Sequence, residues 1–236
     1  MKRRYDWSGW PKTAEEARAA QAELAGSVDE RPLVGEVNSV AGVDLHYDPA
    51  RGLAFAAVVV LEAASLELSE SAMAVLPVAL PYIPGLLSFR EVPAAAEALA
   101  MLTRPPDLVI VDGQGLAHPR GLGFATHLGI VTGLPTIGCA KSRLVGRHAE
   151  PARERGAREP LVYKRHVVGS VLRSKTGVRP LYVSAGHGIT LDQAVDWVLR
   201  TDGGRRLPEP TRQADLLSRC HPLKDRDHIA EGSGTG

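Results

Sequence analysis

Three acidic residues lie at positions where a carboxylate is unfavourable unless it has a partner. Asp44 follows the apolar run VAGV, Asp112 ends the apolar run LVIV just before a glycine, and Glu91 follows a proline-rich segment. Carboxylates are rarely buried alone, because taking an unpaired charge out of water costs much free energy. Several converging carboxylates suit a hard divalent cation such as Mg²⁺, which prefers oxygen ligands and keeps positions open for water and phosphate. The sequence therefore predicts a magnesium site.

Each acidic residue also has an ordinary structural interpretation. An Asp at the end of a strand is often a helix cap or a loop residue. A Glu in the first turn of a helix interacts favourably with the helix dipole and needs no metal. Only the combination of the three, with the sequence around them, favours a metal site.

The glycine-rich loop after Asp112 resembles a dinucleotide-binding loop between a strand and a helix. Two features argue against that function. His118 stands where the third glycine would be needed, and Asp112 would place a negative charge beside a pyrophosphate. Gly113 and Gly115 still allow a flat ligand, such as a purine base, to approach the backbone closely.

The first half of the chain predicts a helix and then a three-stranded meander. Residues 13–25 are rich in helix formers, and Thr13 and Glu16 predict a capping box. Three strands are predicted in VNSVAGVDLHYD, LAFAAVVVLEA and LELSESAMAVLPV. Short turns at residues 49–52 and 64–65 predict that the three strands pair antiparallel.

The second half alternates strands with helices. A helix capped by Ser88 carries Glu91 and is predicted to run to about Leu102. Further strands are predicted in LVIVD, PTIGCA, VYKRHVVGSVLR and PLYVSAGHG, and further helices across residues 121–132, in TLDQAVDWVLRT and in PTRQADLLSR. Antiparallel strands followed by β–α–β units indicate an α/β fold with a ribonuclease H-like mixed sheet flanked by helices. We expect one catalytic domain over residues 1–220 and a disordered tail over residues 221–236.

The length, composition and charge of the chain indicate its domain size and limit its partners. A length of 236 residues, with 44% hydrophobic and 23% charged residues, suits one large domain. The net charge of +1 gives no general attraction to nucleic acid. The stretch from Lys141 to Arg179, however, holds 11 Lys or Arg and only three acidic residues, all Glu. That stretch could neutralise phosphates or could be a solvated loop, and charge alone does not decide.

The cellular setting is predicted from cysteines and apolar runs. Cys139 and Cys220 are far apart in sequence, which favours a reducing, cytoplasmic location. No apolar run is long enough for a membrane span, and the basic start lacks the apolar run of a signal peptide. We expect a monomer, although no sequence feature fixes the oligomeric state. A zinc site built from Cys139, His127 and His118 lacks ligand spacing.

Four separated segments resemble, in the correct order, hallmark segments of the endonuclease V family. They are PYIPGLLSFRE, DGQGLAHPRGLGFATHLG, GCAKSRLVG and LPEPTRQAD, and the resemblance covers roughly Gly42 to Arg219. It implies a ribonuclease H-like fold and cleavage of DNA, in some members RNA, one nucleotide beyond inosine on its 3′ side. The products would carry a 3′-hydroxyl and a 5′-phosphate.

The resemblance also implies roles for individual residues. The metal ligands would be Asp44, Glu91, Asp112 and Asp215, with Mg²⁺ as cofactor and Mn²⁺ able to substitute, and Lys141 would lie near the scissile phosphate. Tyr82, in a stiff frame with Pro84, would act as a wedge that fills the space left by an extruded base. The base pocket would be lined by Gly85, Leu87, Gly113, Gly115 and His118.

Two other functions stay open from the sequence. A non-cleaving reader of deaminated bases would keep the pocket and Tyr82 but would need no metal. A structure-selective nuclease of the same fold would nick flaps or junctions whatever the base. The choice between DNA and RNA, the number of metal ions, and the roles of Arg147–Arg158, His127 and His187 are not determined by the sequence.

Overall fold

The computed structural model describes residues 5–220, so the predicted tail at residues 221–236 lies outside the described residues. Within these residues, eight strands form one sheet: β1 (Ser39–Asp48), β2 (Leu53–Glu62), β3 (Leu68–Pro77), β4 (Leu108–Val111), β5 (Thr136–Ala140), β6 (Arg158–Tyr163), β7 (His166–Leu172) and β8 (Leu181–His187). Five α-helices in the same part of the chain flank it: α1 (Ala14–Leu24), α2 (Ser88–Ala100), α3 (Phe124–Thr132), α4 (Leu191–Arg200) and α5 (Glu209–Arg219).

The sheet has the order β3-β2-β1-β4-β5-β8-β7-β6. Strand β4 pairs in parallel with β1 on one side and with β5 on the other. The other strand pairs in the sheet are antiparallel. The predicted meander of β1, β2 and β3 is confirmed, as is the mixed, ribonuclease H-like α/β arrangement. Strand β2 is a nearly continuous apolar run because helices α2 and α5 both pack against it.

The central strands bury both of their faces, and the side-chain alternation of a strand decides which helix each residue meets. Val109 and Val111 of β4 lie in the apolar core that includes residues of α2 and α3. Leu108 and Ile110 of the same strand lie in the core that includes residues of α4. The carboxyl end of β4, which Asp112 follows, therefore emerges from a core that is packed on both faces of the sheet.

The predicted capping box of Thr13 with Glu16 is confirmed at the start of α1. Thr190 and Gln193 form a second capping box at the start of α4. The prediction for Ser88 was wrong: Leu87 is the N-cap of α2, and Ser88 is the first helical residue. The Ser88 hydroxyl lies instead 3.0 Å from Nδ1 of His127. The Ser88 side chain, which the sequence pattern assigned to capping, therefore interacts with the buried His127 of α3.

Part of the basic stretch is structural. Arg155 donates to Asp202 at 2.8 Å, and Arg158 donates to Asp192 at 2.9 Å. Arg173 is buried and donates to the carboxylate of Glu150 and to several backbone carbonyls. These arginines fasten the loop that precedes β6 to the body of the protein. Within residues 5–220, no helix is both long enough and apolar enough to span a bilayer.

Candidate active site

Asp44 and Asp112 are brought together by the parallel pairing of β1 with β4. Asp44 lies inside β1, and Val43, the residue before it, is the register partner of Val111. Asp112 follows Val111 directly, and its backbone N–H donates to the carbonyl of Val43 at 3.2 Å. The sheet register thus places the two carboxylates side by side, where the pairing of β1 with β4 ends.

Asp215 reaches the same place because helix α5 packs closely on β1. A Cβ atom at Gly42 would lie 2.0 Å from the backbone carbon of Pro210, at the start of α5. No other residue type permits this approach, so glycine at position 42 sets the distance between strand and helix. Asp44 and Gly42 point to the same face of β1 because they are two residues apart. Asp44 therefore faces the helix that carries Asp215.

Asp44, Asp112 and Asp215 each offer a carboxylate oxygen within 4.8 Å of the others. Two oxygens on opposite sides of a Mg²⁺ ion lie roughly 4.2 Å apart, given metal–oxygen distances of about 2.1 Å. Three hard oxygen donors at this separation, each only partly buried, fit Mg²⁺ or Mn²⁺. Among residues 5–220 no other group of three such ligands is present, and Cys139, His127 and His118 do not converge in this way.

Glu91 is not a member of that group. It lies in the first turn of α2 and lines a neighbouring cavity with Asp112. Burial, together with the charges of Asp44 and Asp112, raises the pKa of Glu91 to about 8. Burial also raises the pKa of Asp44 to about 6, against the hydrogen bond from Ser218, which lowers it. Concentrated negative charge in a partly dry site is the environment in which a cation binds well.

Two cationic side chains lie against the carboxylates. The Lys141 ammonium pairs with Asp112, and its Nζ lies 3.8 Å from Asp215. Desolvation lowers the pKa of Lys141, but the hydrogen bond to Asp112 and the surrounding carboxylates raise it by more. Arg219, one helical turn beyond Asp215, donates to it at 2.7 Å. Lys141 is therefore charged and lies at the carboxylate cluster. Its place near a scissile phosphate, implied by the family resemblance, stays a prediction.

A second cavity of about 390 Å³ opens beside the carboxylate cluster. Its size falls within the range of small-ligand pockets, about 300–1,000 Å³. The cluster has its own cavity, and the two share Asp112 and Lys141 as lining residues. Among the predicted substrate-binding residues, those that line the second cavity are Tyr82, Gly85, Leu87, Gly113 and His118.

The remaining predicted substrate residues, Pro84 and Gly115, are not lining residues of this cavity. Pro84 is exposed in the loop between Tyr82 and Gly85. Gly115 supports the pocket from behind: its N–H donates to Ser184 at 2.9 Å, and a Cβ there would lie 2.1 Å from the carbonyl oxygen of Ala185. Gly115 is thus required for the close packing of the loop on β8.

The mouth and the wall of the cavity differ in character. Tyr82 is 66% exposed at the mouth, so its ring is accessible to a ligand. His118 is buried in the wall, and desolvation together with Arg120 lowers the pKa of His118 to about 4. The imidazole is therefore neutral at physiological pH, which suits an uncharged ligand better than a phosphate.

The two other histidines considered from the sequence lie away from the cluster. His127 is completely buried, and its ring stacks on Trp10 with centroids 5.2 Å apart. His187 is the last residue of β8 and accepts a hydrogen bond from the N–H of Asp29. Neither is a lining residue of the two cavities.

Three residues of the site were missed in the sequence. Ser218 donates to Asp44, Gln114 joins the glycine loop to the carbonyl of Ser142, and Leu144 is an exposed apolar residue of the pocket lining. The spacing of Ser218 three residues after Asp215 puts both on one side of a helix, and this signal could have revealed it. Gln114 and Leu144 carry no comparable signal, because their roles depend on how two loops meet.

Phosphodiester hydrolysis is the chemistry that carboxylate-held divalent cations perform in many nucleases. Together with the sheet topology, the carboxylate cluster defines the class: a nuclease with a ribonuclease H-like fold. The chain belongs to the endonuclease V family, whose family model, described as Endonuclease V, matches residues 22–216. It is therefore an endonuclease.

Relatives match this chain in sequence and in structure over about nine-tenths of its length. The endonuclease V of Azotobacter vinelandii is 51% identical over 213 residues, which is 90% of this chain and 95% of the relative. The crystal structure of endonuclease V from Streptomyces avermitilis superposes with a TM-score of 0.88 at 45% identity, covering 93% of this chain and 97% of that one. Endonuclease V of Ciona intestinalis, in complex with a 24mer DNA containing an inosine followed by a ribo-adenosine, has a TM-score of 0.77 at 26% identity, covering 91% and 98%.

Proposed function

We propose that this protein is a Mg²⁺-dependent endonuclease in the repair of deaminated bases, acting in the cytoplasm. It hydrolyses the second phosphodiester bond 3′ to inosine in DNA, and leaves a 3′-hydroxyl and a 5′-phosphate. One observation carries the proposal: the carboxylate cavity and the base-sized cavity meet at Asp112 and Lys141. A strand whose base enters one cavity has its sugar–phosphate chain beside the other.

The comparison with Ciona intestinalis supports the choice of substrate. That relative was solved with DNA that contains an inosine. The pocket of the present chain has the character that such a base needs, with backbone exposed at Gly113 and a neutral His118 in the wall. Inosine in RNA has the same base, so RNA is a second substrate to be tested.

The metal ligands in this proposal are Asp44, Asp112 and Asp215. Glu91 lies outside that group but interacts electrostatically with Asp44 and Asp112, and we assign it as a fourth carboxylate that approaches the metal from α2. A bound Mg²⁺ supplies charge to activate a water and to stabilise the leaving oxygen. Lys141 then contributes a fixed positive charge where negative charge accumulates on the phosphate. Its contacts with Asp112 and Asp215 hold the ammonium at the edge of the cluster, between the ligands and the base pocket.

Selectivity in this proposal comes from extrusion of the base. A weakly paired base such as inosine requires less free energy to flip out of a duplex, out of a total of a few kcal/mol. Tyr82 is exposed at the pocket mouth and can stack on the bases that remain, at roughly 1–3 kcal/mol per base. The flanking prolines at 81 and 84 stiffen this loop, so little conformational entropy is lost when Tyr82 inserts.

The direct test compares strands that differ only at one base. Inosine-containing and guanine-containing strands, each as single-stranded DNA, duplex DNA and RNA, are incubated with Mg²⁺ or with EDTA. We expect nicking only of the inosine strands and only with Mg²⁺. End mapping should place the cut at the second phosphodiester bond on the 3′ side, with a 3′-hydroxyl.

Asp44→Ala is the control, because it removes one ligand and should abolish nicking while the melting temperature is retained. Binding of inosine strands without any nick would instead favour a non-cleaving reader. Equal nicking of guanine strands of the same shape would favour a structure-selective nuclease.

A further inference from the structure

Ser218 makes a contact that the proposed mechanism does not use. It is 1% exposed on α5, and its hydroxyl lies 2.8 Å from Oδ2 of Asp44. The same hydroxyl lies 3.0 Å from the backbone carbonyl of Asp215 on its own helix. Ser218 therefore touches two of the three residues whose carboxylates form the cluster.

The single hydroxyl proton is directed to Asp44. A hydroxyl has one proton to donate, and a carboxylate is a stronger acceptor than a backbone carbonyl. The shorter distance to Asp44 agrees with this assignment. One carboxylate oxygen of Asp44 is thus held by a buried donor, which fixes the rotation of the carboxylate about its last side-chain bond.

Rotation matters because Asp44 and Asp215 come from different elements. Asp44 lies on β1 and Asp215 on α5, and the two elements touch closely at Gly42 and Pro210, near the opposite end of the helix. The hydrogen bond from Ser218 is a second connection, at the end of α5 where the ligands are. It ties the orientation of the Asp44 carboxylate to the helix that carries Asp215.

We propose that Ser218 is a positioning residue of the metal site: its hydroxyl orients Asp44 so that the remaining carboxylate oxygen faces the cation shared with Asp112 and Asp215. The inference rests on the proposed function, because it assumes that these three residues bind the metal. Outer-shell hydrogen bonds of this kind typically change metal affinity by 10–100-fold when they are removed.

The experiment measures Mn²⁺ binding by isothermal titration calorimetry, with the full-length protein and no nucleic acid. Ser218→Ala removes the hydroxyl and adds no bulk. Thr211→Val is the matched control, because Thr211 is a buried residue of the same helix whose hydroxyl donates only to the carbonyl of Pro208, at 2.9 Å. We expect about tenfold weaker Mn²⁺ binding for Ser218→Ala. We expect unchanged binding for Thr211→Val.

A second readout follows nicking against Mg²⁺ concentration. The Mg²⁺ concentration for half-maximal nicking should rise about tenfold in Ser218→Ala and stay constant in Thr211→Val. Wild-type Mn²⁺ affinity in Ser218→Ala, or equal weakening in Thr211→Val, would overturn the positioning role alone. Absence of any Mn²⁺ binding by the wild-type protein would overturn the metal centre itself, and this inference with it.

Discussion

The backbone N–H of Asp112 donates a hydrogen bond to the carbonyl oxygen of Val43, 3.2 Å away. This bond continues the parallel pairing of β1 with β4 by one step beyond the last paired residues, Val43 and Val111. Asp44 and Asp112 are therefore neighbours through main-chain geometry, which a change of either side chain does not disturb. Substitutions of these carboxylates should separate chemistry from folding.

The first prediction concerns Asp44→Asn, which keeps the size of the side chain but removes its charge. Because burial raises the pKa of Asp44 to about 6, the charged form destabilises the folded, metal-free protein at neutral pH. We expect nicking to be lost and the metal-free melting temperature at pH 7.5 to rise. Differential scanning calorimetry in EDTA, beside a nicking assay, measures both. A fall in melting temperature would contradict the assigned desolvation.

The second prediction concerns how the difference in free energy of unfolding between the wild type and Asp44→Asn depends on pH. Asp44 has a folded-state pKa of about 6 against an ordinary value of 3.8, so its contribution favours the folded state below about pH 3.8. That contribution is lost as the pH rises through about 6. The free energy of unfolding of the wild type, relative to Asp44→Asn, should therefore fall between pH 4 and pH 7. The slope between the two pKa values should approach about 1.4 kcal/mol per pH unit.

Denaturant unfolding in EDTA at several pH values measures this difference. Glu91, whose pKa is raised to about 8 by burial first and by the charge of Asp44 second, is present in both proteins. The part due to burial cancels between them, and the part due to Asp44 stays in the difference with the same sign, so the fall continues towards about pH 8. A difference that stays constant with pH would show that the folded protein does not perturb Asp44. Addition of Mg²⁺ should stabilise the wild type by mass action and leave Asp44→Asn nearly unaffected.

The closeness of Asp44 and Asp112 could be predicted from the sequence, and the reason is physical. Strand alternation and the apolar runs around Asp44 and Asp112 are local signals, and parallel pairing brings the ends of neighbouring strands together. Local signals failed where a distant contact decides. Ser88 was predicted as a cap, but the buried His127, 39 residues away in sequence, takes its hydroxyl.

Asp215 was assigned to the metal site from the family resemblance, because no pattern in the sequence places it beside Asp44. Its helix is predictable from the sequence, but its approach to Asp44 depends on Gly42 meeting Pro210, a contact between residues 168 positions apart. The basic stretch shows the same limit. Charge alone could not separate Lys141, which lies at the carboxylate cluster, from Arg155 and Arg173, which hold a loop in place.

The third prediction concerns Lys141→Ala. Its ammonium pairs with Asp112 and lies near Asp215, so its removal takes away the fixed positive charge next to the proposed phosphate position. We expect the single-turnover nicking rate to fall by roughly 100-fold, the magnitude seen when one preorganised electrostatic contact is lost. Lys175→Ala removes an exposed charge of the same basic stretch and should leave the rate within about twofold. Equal losses in the two variants would indicate only general attraction of nucleic acid.

The fourth prediction concerns Tyr82→Ala. If Tyr82 fills the gap left by an extruded base, the loss of roughly 1–3 kcal/mol of stacking should lower nicking of duplex DNA by about 5–150-fold. Single-stranded DNA has no partner strand to unpair, so nicking of it should fall less. Tyr82→Phe should retain most activity, and Leu68→Ala, at another large and 61% exposed residue, should have no effect. Equal losses on both substrates would contradict the wedge role.

The fifth prediction concerns Gly42→Ala, which tests how the helix α5 is placed. The added methyl group would lie 2.0 Å from the backbone carbon of Pro210, so strand and helix must move apart. Overpacking of this kind costs typically about 1–3 kcal/mol, and it should move Asp215 away from Asp44. We expect a lower melting temperature together with weaker Mn²⁺ binding measured by calorimetry. Gly26→Ala adds the same methyl group where nothing lies within 4 Å, and it should change neither measurement. If Gly42→Ala loses stability but binds Mn²⁺ normally, then the seating of α5 on β1 does not control the geometry of the carboxylate cluster.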